Sequence, residues 1–169
     1  MLTAEQENFL NKMPPEQANQ LVSILPYNPL AKEVGSHILS EIKRMLPKVM
    51  VFFHGSAALG IAGMDDVDIA AISSGDFDTE KKSLTDLFGE PREIFGGKYT
   101  LWEFKKEGFK IEITLNDNLS GPIKEQLDTF EKLKANKDLL TKYEKIKLDM
   151  NGKAYKDYQT AKYEFLNSI

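Results

Sequence analysis

The chain contains no cysteine and only two histidines, His37 and His54, among its 169 residues. The first absence removes disulfide frameworks, thiolate nucleophiles and the usual cysteine-ligated zinc sites. The second leaves too few imidazoles for a histidine-rich metal centre. Long apolar runs are missing as well. Met50 to Phe53 and Ile69 to Ile72 fall far short of the roughly 20 residues that cross a bilayer, so no transmembrane helix or membrane partner is expected. Met1 to Gln6 lacks the basic-then-apolar pattern of a secretory signal, which makes a cytoplasmic location the expectation. Nor is there an excess of positive charge. At a formal net charge of -4 the chain does not look like a general nucleic-acid binder, and nucleic acid is not expected as a partner.

What is present is an ordinary globular composition, 41% hydrophobic and 28% charged, at a length that supports one sizeable core. No repeat or low-complexity tract divides it. The whole chain, 1–169, therefore reads as one domain, with N-terminal helices and a mixed sheet in 1–118 and a helical segment in 119–169. Helical spacing of Val34, Ile38, Ile42 and Met45 predicts a core-facing helix from Pro29 to Leu46, capped by Asn28 and started by a proline whose missing N–H costs nothing. Upstream, prolines 14, 15 and 26 break off two short helical pieces, Glu5 to Asn11 and Glu16 to Leu25. Apolar or alternating runs predict strands at Val49–Phe53, Asp66–Ile72, Tyr99–Lys105 and Phe109–Leu115, the last two forming a hairpin across Lys106-Glu107-Gly108. Helices are expected over Thr79–Phe88, Pro122–Lys134, Asp138–Met150 and Ala154–Leu166. The fold class is thus α/β (α+β).

Asp66 and Asp68 stand at i and i+2 of a strand, so both point to one face while Val67 and Ile69 enter the core. Two carboxylates side by side repel, and a hard divalent cation, Mg²⁺ or Mn²⁺, would relieve them. Glu112 repeats the alternation on a later strand and supplies a third carboxylate. Three carboxylates and divalent metal form a clamp suited to phosphoryl displacement. Gly55-Ser56 ends the preceding strand, where a glycine lets the backbone approach a ligand and the hydroxyl can donate to a phosphate oxygen. Trp102, Tyr143, Tyr155 and Tyr158 recur at spacings that favour core over stacking on a base. Ser56 lacks the flanking glycines of a hydrolase nucleophile elbow, having His54 and Ala58 instead.

The string His54-Gly55-Ser56, a variable loop, then Asp66-Val67-Asp68-Ile69, with Glu112 later, resembles the signature of the nucleotidyltransferase superfamily. The resemblance implies a nucleotidyltransferase-like mixed sheet backed by helices. It also implies an NTP bound through Gly55 and Ser56, metal on the carboxylates, and transfer of a nucleoside monophosphate to an acceptor hydroxyl with release of pyrophosphate. A second resemblance runs through Pro26-Tyr27-Asn28-Pro29, Gly55-Ser56-Ala57-Ala58-Leu59-Gly60, Tyr143-Glu144…Lys147 and Tyr155…Lys162…Phe165. It is to the GrpB-like branch, and it singles out Lys147 and Lys162 as cations for the triphosphate. The chain departs from that branch in having Asp66 and Glu112, where many members lack the first carboxylate and carry histidine near the third position. A non-catalytic nucleotide-binding or regulatory module of the same fold is the alternative. The acceptor, the base preference and the oligomeric state have no signature in these residues.

Overall fold

The computed structural model describes residues 1–169. Five strands, β1 (Met50–His54), β2 (Asp66–Ile72), β3 (Glu93–Phe95), β4 (Tyr99–Lys106) and β5 (Phe109–Asn116), form one mixed sheet in the order β1-β2-β5-β4-β3. Only β2 and β5 run parallel; the other neighbours are antiparallel. Eight helices surround it: α1 (Ala4–Lys12), α2 (Pro15–Ala18), α3 (Pro29–Met45), α4 (Gly55–Leu59), α5 (Phe77–Phe88), α6 (Gly121–Ala135), α7 (Lys137–Asp149) and α8 (Tyr155–Leu166). No helix is long and apolar enough to cross a membrane.

The sheet has one apolar and one polar face. Val51, Val67, Ile69, Ala71, Ile111, Ile113, Leu115 and Trp102 join Val34, Ile38 and Ile42 of α3 and Leu84 of α5 in a single core cluster. In register, Val67 pairs with Ile111, Ile69 with Ile113 and Ala71 with Leu115. Burying each valine or isoleucine among them contributes about 2 kcal/mol, so slipping β2 by one residue, which would turn Val67, Ile69 and Ala71 outward and Asp66 and Asp68 inward, is strongly opposed. The same parity turns Asp66, Asp68, Lys110, Glu112 and Thr114 to the opposite face. Leu101 and Glu103 of β4, opposite Thr114 and Glu112, share that face, while Trp102 is buried and donates its indole N–H to Gly89 O at 3.0 Å.

Most expected elements are present to within two residues, and three regions differ. The helix anticipated over Glu16–Leu25 stops at Ala18. Beyond it, Val22 and Ile24 are buried while Leu21, Ser23 and Leu25 are exposed, a period of two. This segment runs extended: Val22 exchanges backbone bonds with the loop before α8, and Leu25 exchanges them with Gly63. Pro26 disfavours a helical Leu25, and Val22 and Ile24 suit a strand better than a helix. The stretch after β1 is a short helix, α4, rather than a loop. The edge strand β3 is the third difference; it is three residues long, with Ile94 and Phe95 exposed. The hairpin turn is as expected, Glu107 and Gly108 both taking positive φ, 54° and 87°.

Gly35 lets α3 reach β1. A Cβ there would lie 2.4 to 2.7 Å from the Phe53 ring. Helix propensity alone would favour replacing this glycine, by up to about 1 kcal/mol. We expect steric conflict to win: Gly35→Val should destabilise the fold by about 2 kcal/mol in urea denaturation. An unchanged or raised midpoint would refute this account of the packing.

Candidate active site

β1 ends at His54, and its register sets His54 beside Asp68 and Asp68 beside Glu112, with Glu103 of β4 next across the sheet. A row of one histidine and three carboxylates thus crosses the polar face. Asp66 lies one pleat back from Asp68, opposite Lys110.

The chain turns from β1 into α4 at Gly55, whose φ is +75°. A Cβ at this position would fall 2.1 Å from Asp68 Oδ2, so only glycine allows the Asp68 carboxylate to sit against the backbone. Ser56 follows in the first turn of α4. It is 8% exposed, and its Oγ accepts a hydrogen bond from Lys147 Nζ of α7. Because the ammonium has only donors, Ser56 keeps its own O–H free to donate elsewhere. Gly63 packs on this pair; a Cβ there would come within 2.8 Å of Ser56 Cβ and 3.7 Å of Lys147 Nζ. Glu144, one turn before Lys147, accepts from the Ala62 N–H at 2.8 Å. Two small apolar clusters complete the docking. Ile61 packs with Leu133 and Tyr143, and Ala62 packs with Tyr158, Val22 and Ile24.

The electrostatics follow from this crowding. Burial, then the charges of Asp66 and Glu112, push the Asp68 carboxyl up to about 8, against the pull of Lys162 and Lys147. Burial, then the charge of Lys162, lowers Lys147 to about 8, although Asp66, Asp68 and Glu144 favour its charged form. Burial and Lys162 lower His54 to about 4, so its imidazole is neutral near pH 7. Lys162 itself is held above its ordinary value, first by the oxygen of Tyr143 and further by Tyr158, Tyr163 and Asp68, against the opposing effect of burial. Tyr143, Tyr158 and Trp102 are buried, as expected of core aromatics, whereas Tyr155 is only partly buried beside Tyr158.

The site residues named from sequence are therefore close together but not equivalent. Asp68 and Glu112 line one cavity of about 420 Å³, together with His54, Tyr99, Thr114 and Asn116. Asp66 and Ser56 line a separate narrow cleft with Tyr27 and Gly63. No three acidic or histidine side chains are gathered closely enough to hold one metal ion jointly. Glu112 is turned to Lys110, whose Nζ donates to Glu112 Oε1 at 2.5 Å and lies 3.7 Å from Glu103. Arg92 also donates to Glu103. Burial works against the Lys110 charge, but Glu112, Glu103 and Asp66 together hold its ammonium above the ordinary value. Asp66 and Asp68, by contrast, have no cation within ion-pair distance. Their donor set, two adjacent carboxylates and a glycine cradle, suits a hard divalent ion. Lys110 and Glu103 were missed in the sequence, although Lys110 stands at i−2 from Glu112 and so shares its face.

The architecture is nucleotidyltransferase-like. Solved structures that share it include Cid1, described for its RNA terminal uridylyl transferase activity, with a TM-score of 0.54 at 15% identity over 85% of this chain and 44% of that one. Cid1 with its short product ApU gives 0.52 at 12% identity, over 85% and 43%. Cid1 with the UTP analogue UMPNPP gives 0.50 at 15%, over 85% and 42%. The chain spans less than half the length of these structures, and the likeness is one of fold. No family model matches the sequence, and no curated protein matches it.

Two tests follow from this geometry. Gly152 has the same φ of +75° as Gly55 but nothing within 4 Å of its missing Cβ. Gly152→Ala should cost about 1 kcal/mol of stability, the ordinary left-handed penalty, and Gly55→Ala at least about 2 kcal/mol more. Equal losses would show that Asp68 does not press on Gly55. The second test is a pH profile. A carboxyl raised in the folded state contributes stability that is complete below its unfolded value near 3.8 and lost as pH rises to about 8. In metal-free buffer, Asp68→Asn should therefore gain on the parent between pH 5 and pH 7, below the range where Lys147 titrates, by on the order of 3 kcal/mol. His54, lowered to about 4, costs stability below pH 6.5 in both proteins and cancels in the comparison. A stability difference constant across this range would overturn the assignment.

Proposed function

We propose that this protein is a metal-dependent nucleotidyltransferase that moves a nucleoside monophosphate from an NTP to an acceptor hydroxyl and releases pyrophosphate. The observation that carries the reading is the seating of Gly55-Ser56 against Asp68. A positive-φ glycine whose missing Cβ leaves room for Asp68, beside a serine with a free hydroxyl and a buried lysine, brings phosphate donors next to unpaired carboxylates. Asp66 and Asp68 are the residues that would hold Mg²⁺ or Mn²⁺, and Glu112 could join them on leaving Lys110. When bound, such an ion neutralises the phosphates and polarises the α-phosphorus. Gly55, Ser56, Lys147 and Lys162 orient the triphosphate, Lys147 through Ser56 and Lys162 as a direct charge. The Glu112 carboxylate takes the acceptor proton.

The cleft needs the sheet, within 1–118, and α7 and α8, within 119–169, so the chain works as one unit. The motifs in α7 and α8 support placement beside the GrpB-like branch. That Cid1 acts on RNA termini keeps nucleic acid among the acceptors to be tested. The ion pair of Glu112 with Lys110 favours a second reading, a module that binds nucleotide without turning it over.

Each labelled NTP, incubated with Mg²⁺ and a panel of hydroxyl acceptors, separates the two. Pyrophosphate release that falls by at least about a thousandfold in Asp68→Ala, the several kcal/mol of a lost metal clamp, is the expected result. Calorimetric nucleotide binding without release from any combination would favour the module.

A further inference from the structure

Resting on the nucleotidyl-transfer reading, we propose that the cavity beside Glu112 is the acceptor subsite and that it takes an uncharged or cationic polyhydroxylated small molecule. The argument begins with direction. In phosphoryl displacement the attacking and leaving oxygens lie roughly in line. Ser56, Lys147 and Lys162, the groups suited to a triphosphate, gather where α4 meets α7 and α8. Pyrophosphate therefore departs on that side, and the acceptor oxygen enters from the other, where Glu112 and the cavity lie.

The cavity's chemistry then selects the acceptor. Asp68, Glu112 and Asp117 line it, and no lysine or arginine does; with Asp68 and Glu112 committed to a metal ion, Asp117 is the carboxylate left to face the acceptor. Asn116 is buried, and its amide N–H groups are spent on Ala71 O at 3.3 Å and Thr114 Oγ1 at 3.1 Å, which leaves its carbonyl to accept. Negative charge thus dominates the wall, while Tyr99, Asn118, Ser120 and Gln126 add neutral groups that can donate as well as accept, and the charge favours a ligand that brings donors. Hydroxyls and ammonium groups supply them, whereas a phosphodiester offers only acceptors and negative charge. His54 is 6% exposed, lines the cavity, and makes no side-chain hydrogen bond, so one buried polar side chain is left for a ligand to satisfy. A ligand hydroxyl can do so by donating or accepting. The start of α6 and the amide groups of Asn118 and Gln126 are the features of the wall that suit an anion. Pro122 contributes no N–H at the helix start, and Asp117 adds a negative charge to the same cavity. The volume of about 420 Å³ falls within the roughly 300–1,000 Å³ range of small-molecule pockets.

The step balances on the chain's own groups. The acceptor oxygen bonds to the α-phosphorus, and the bond from that phosphorus to the oxygen bridging to the β-phosphate breaks. Pyrophosphate leaves with the electron pair, and the hydroxyl proton passes to the Glu112 carboxylate.

The test offers the full chain, with labelled NTP and Mg²⁺, four acceptors: a neutral hexose, an amino sugar, a hexose phosphate, and an RNA hexanucleotide with a free 3′ hydroxyl. Nucleotide binding is followed separately by calorimetry. Transfer to the hexose or the amino sugar, with the two anionic acceptors at least about tenfold poorer in kcat/KM, is expected. Asp117 is exposed, so Asp117→Lys should fold; it should lower kcat/KM for the amino sugar by about fivefold to tenfold and narrow the gap to the hexose phosphate. Preferred transfer to RNA or to the hexose phosphate would overturn the subsite and leave the nucleotidyl-transfer reading standing. Nucleotide binding without transfer to any of the four overturns it as well. Loss of nucleotide binding altogether would sink both.

Discussion

Burial of one row of aliphatic side chains governs everything else in this structure. Val67, Ile69, Ile111 and Ile113 are at most 1% exposed between the sheet and the helices packed on its apolar face. Because strand side chains alternate strictly, fixing these inward fixes Asp66, Asp68 and Glu112 outward. The register that optimises the core also aligns like charges across adjacent strands, where unit charges about 5 Å apart repel by roughly 3 kcal/mol at an effective dielectric near 20. The apolar contacts that hold the sheet together are individually comparable, and there are many more of them. The core therefore imposes an electrostatic cost on the opposite face.

That cost explains the rest of the polar face. Lys110 draws Glu112 and Glu103 toward itself at one end. Lys147 and Lys162 approach from α7 and α8 at the other. Between them Asp68 is left with burial and repulsion on both sides, and its carboxyl is raised accordingly. A lysine such as Lys147 would not ordinarily be buried, being expensive to desolvate. It is retained because Ser56 accepts from it and the Tyr143 ring lies 5.5 Å from its ammonium. The C-terminal helices thus serve two purposes: they cover the apolar residues of the connection between β1 and β2, and they carry countercharge into a site that the sheet alone leaves negative.

Legibility in the sequence tracks the range of the forces involved. The alternation in β2 and β5 and the stripe of α3 are local patterns, and they appear in the chain as read. The paired carboxylates were visible for the same reason. The extended segment before Pro26 carried an equally clear alternation at Val22 and Ile24, but neighbouring prolines drew the interpretation toward a short helix; its backbone bonds go to residues near 152 and to Gly63, which no local pattern reveals. The edge strand β3 is too short for periodicity to register. α4 is five residues long, too short for helical periodicity to register, and it begins at Gly55, where the backbone passes against Asp68. The pairing of Lys110 with Glu112 depends on side-chain direction within one strand. Its spacing was present in the sequence, and the register of β4 beside β5 was needed to bring in Glu103.

The two lysines from the C-terminal helices and the one from β5 differ in what they leave open. Lys147 is bonded to Ser56 next to Gly55, and the charge of Lys162 acts on Asp68 and His54 without pairing with a carboxylate, so a ligand arriving there encounters donors and positive charge. Lys110 pairs with Glu112 but does not line the cavity, whose wall from Glu112 to Asn116 and Asp117 contains no lysine or arginine. The site is consequently polarised along the sheet, from donors at α4 to acceptors at the end of β5. That division arises from where α7 and α8 dock, and their docking is set by Ile61, Ala62 and Gly63 in the connection between β1 and β2.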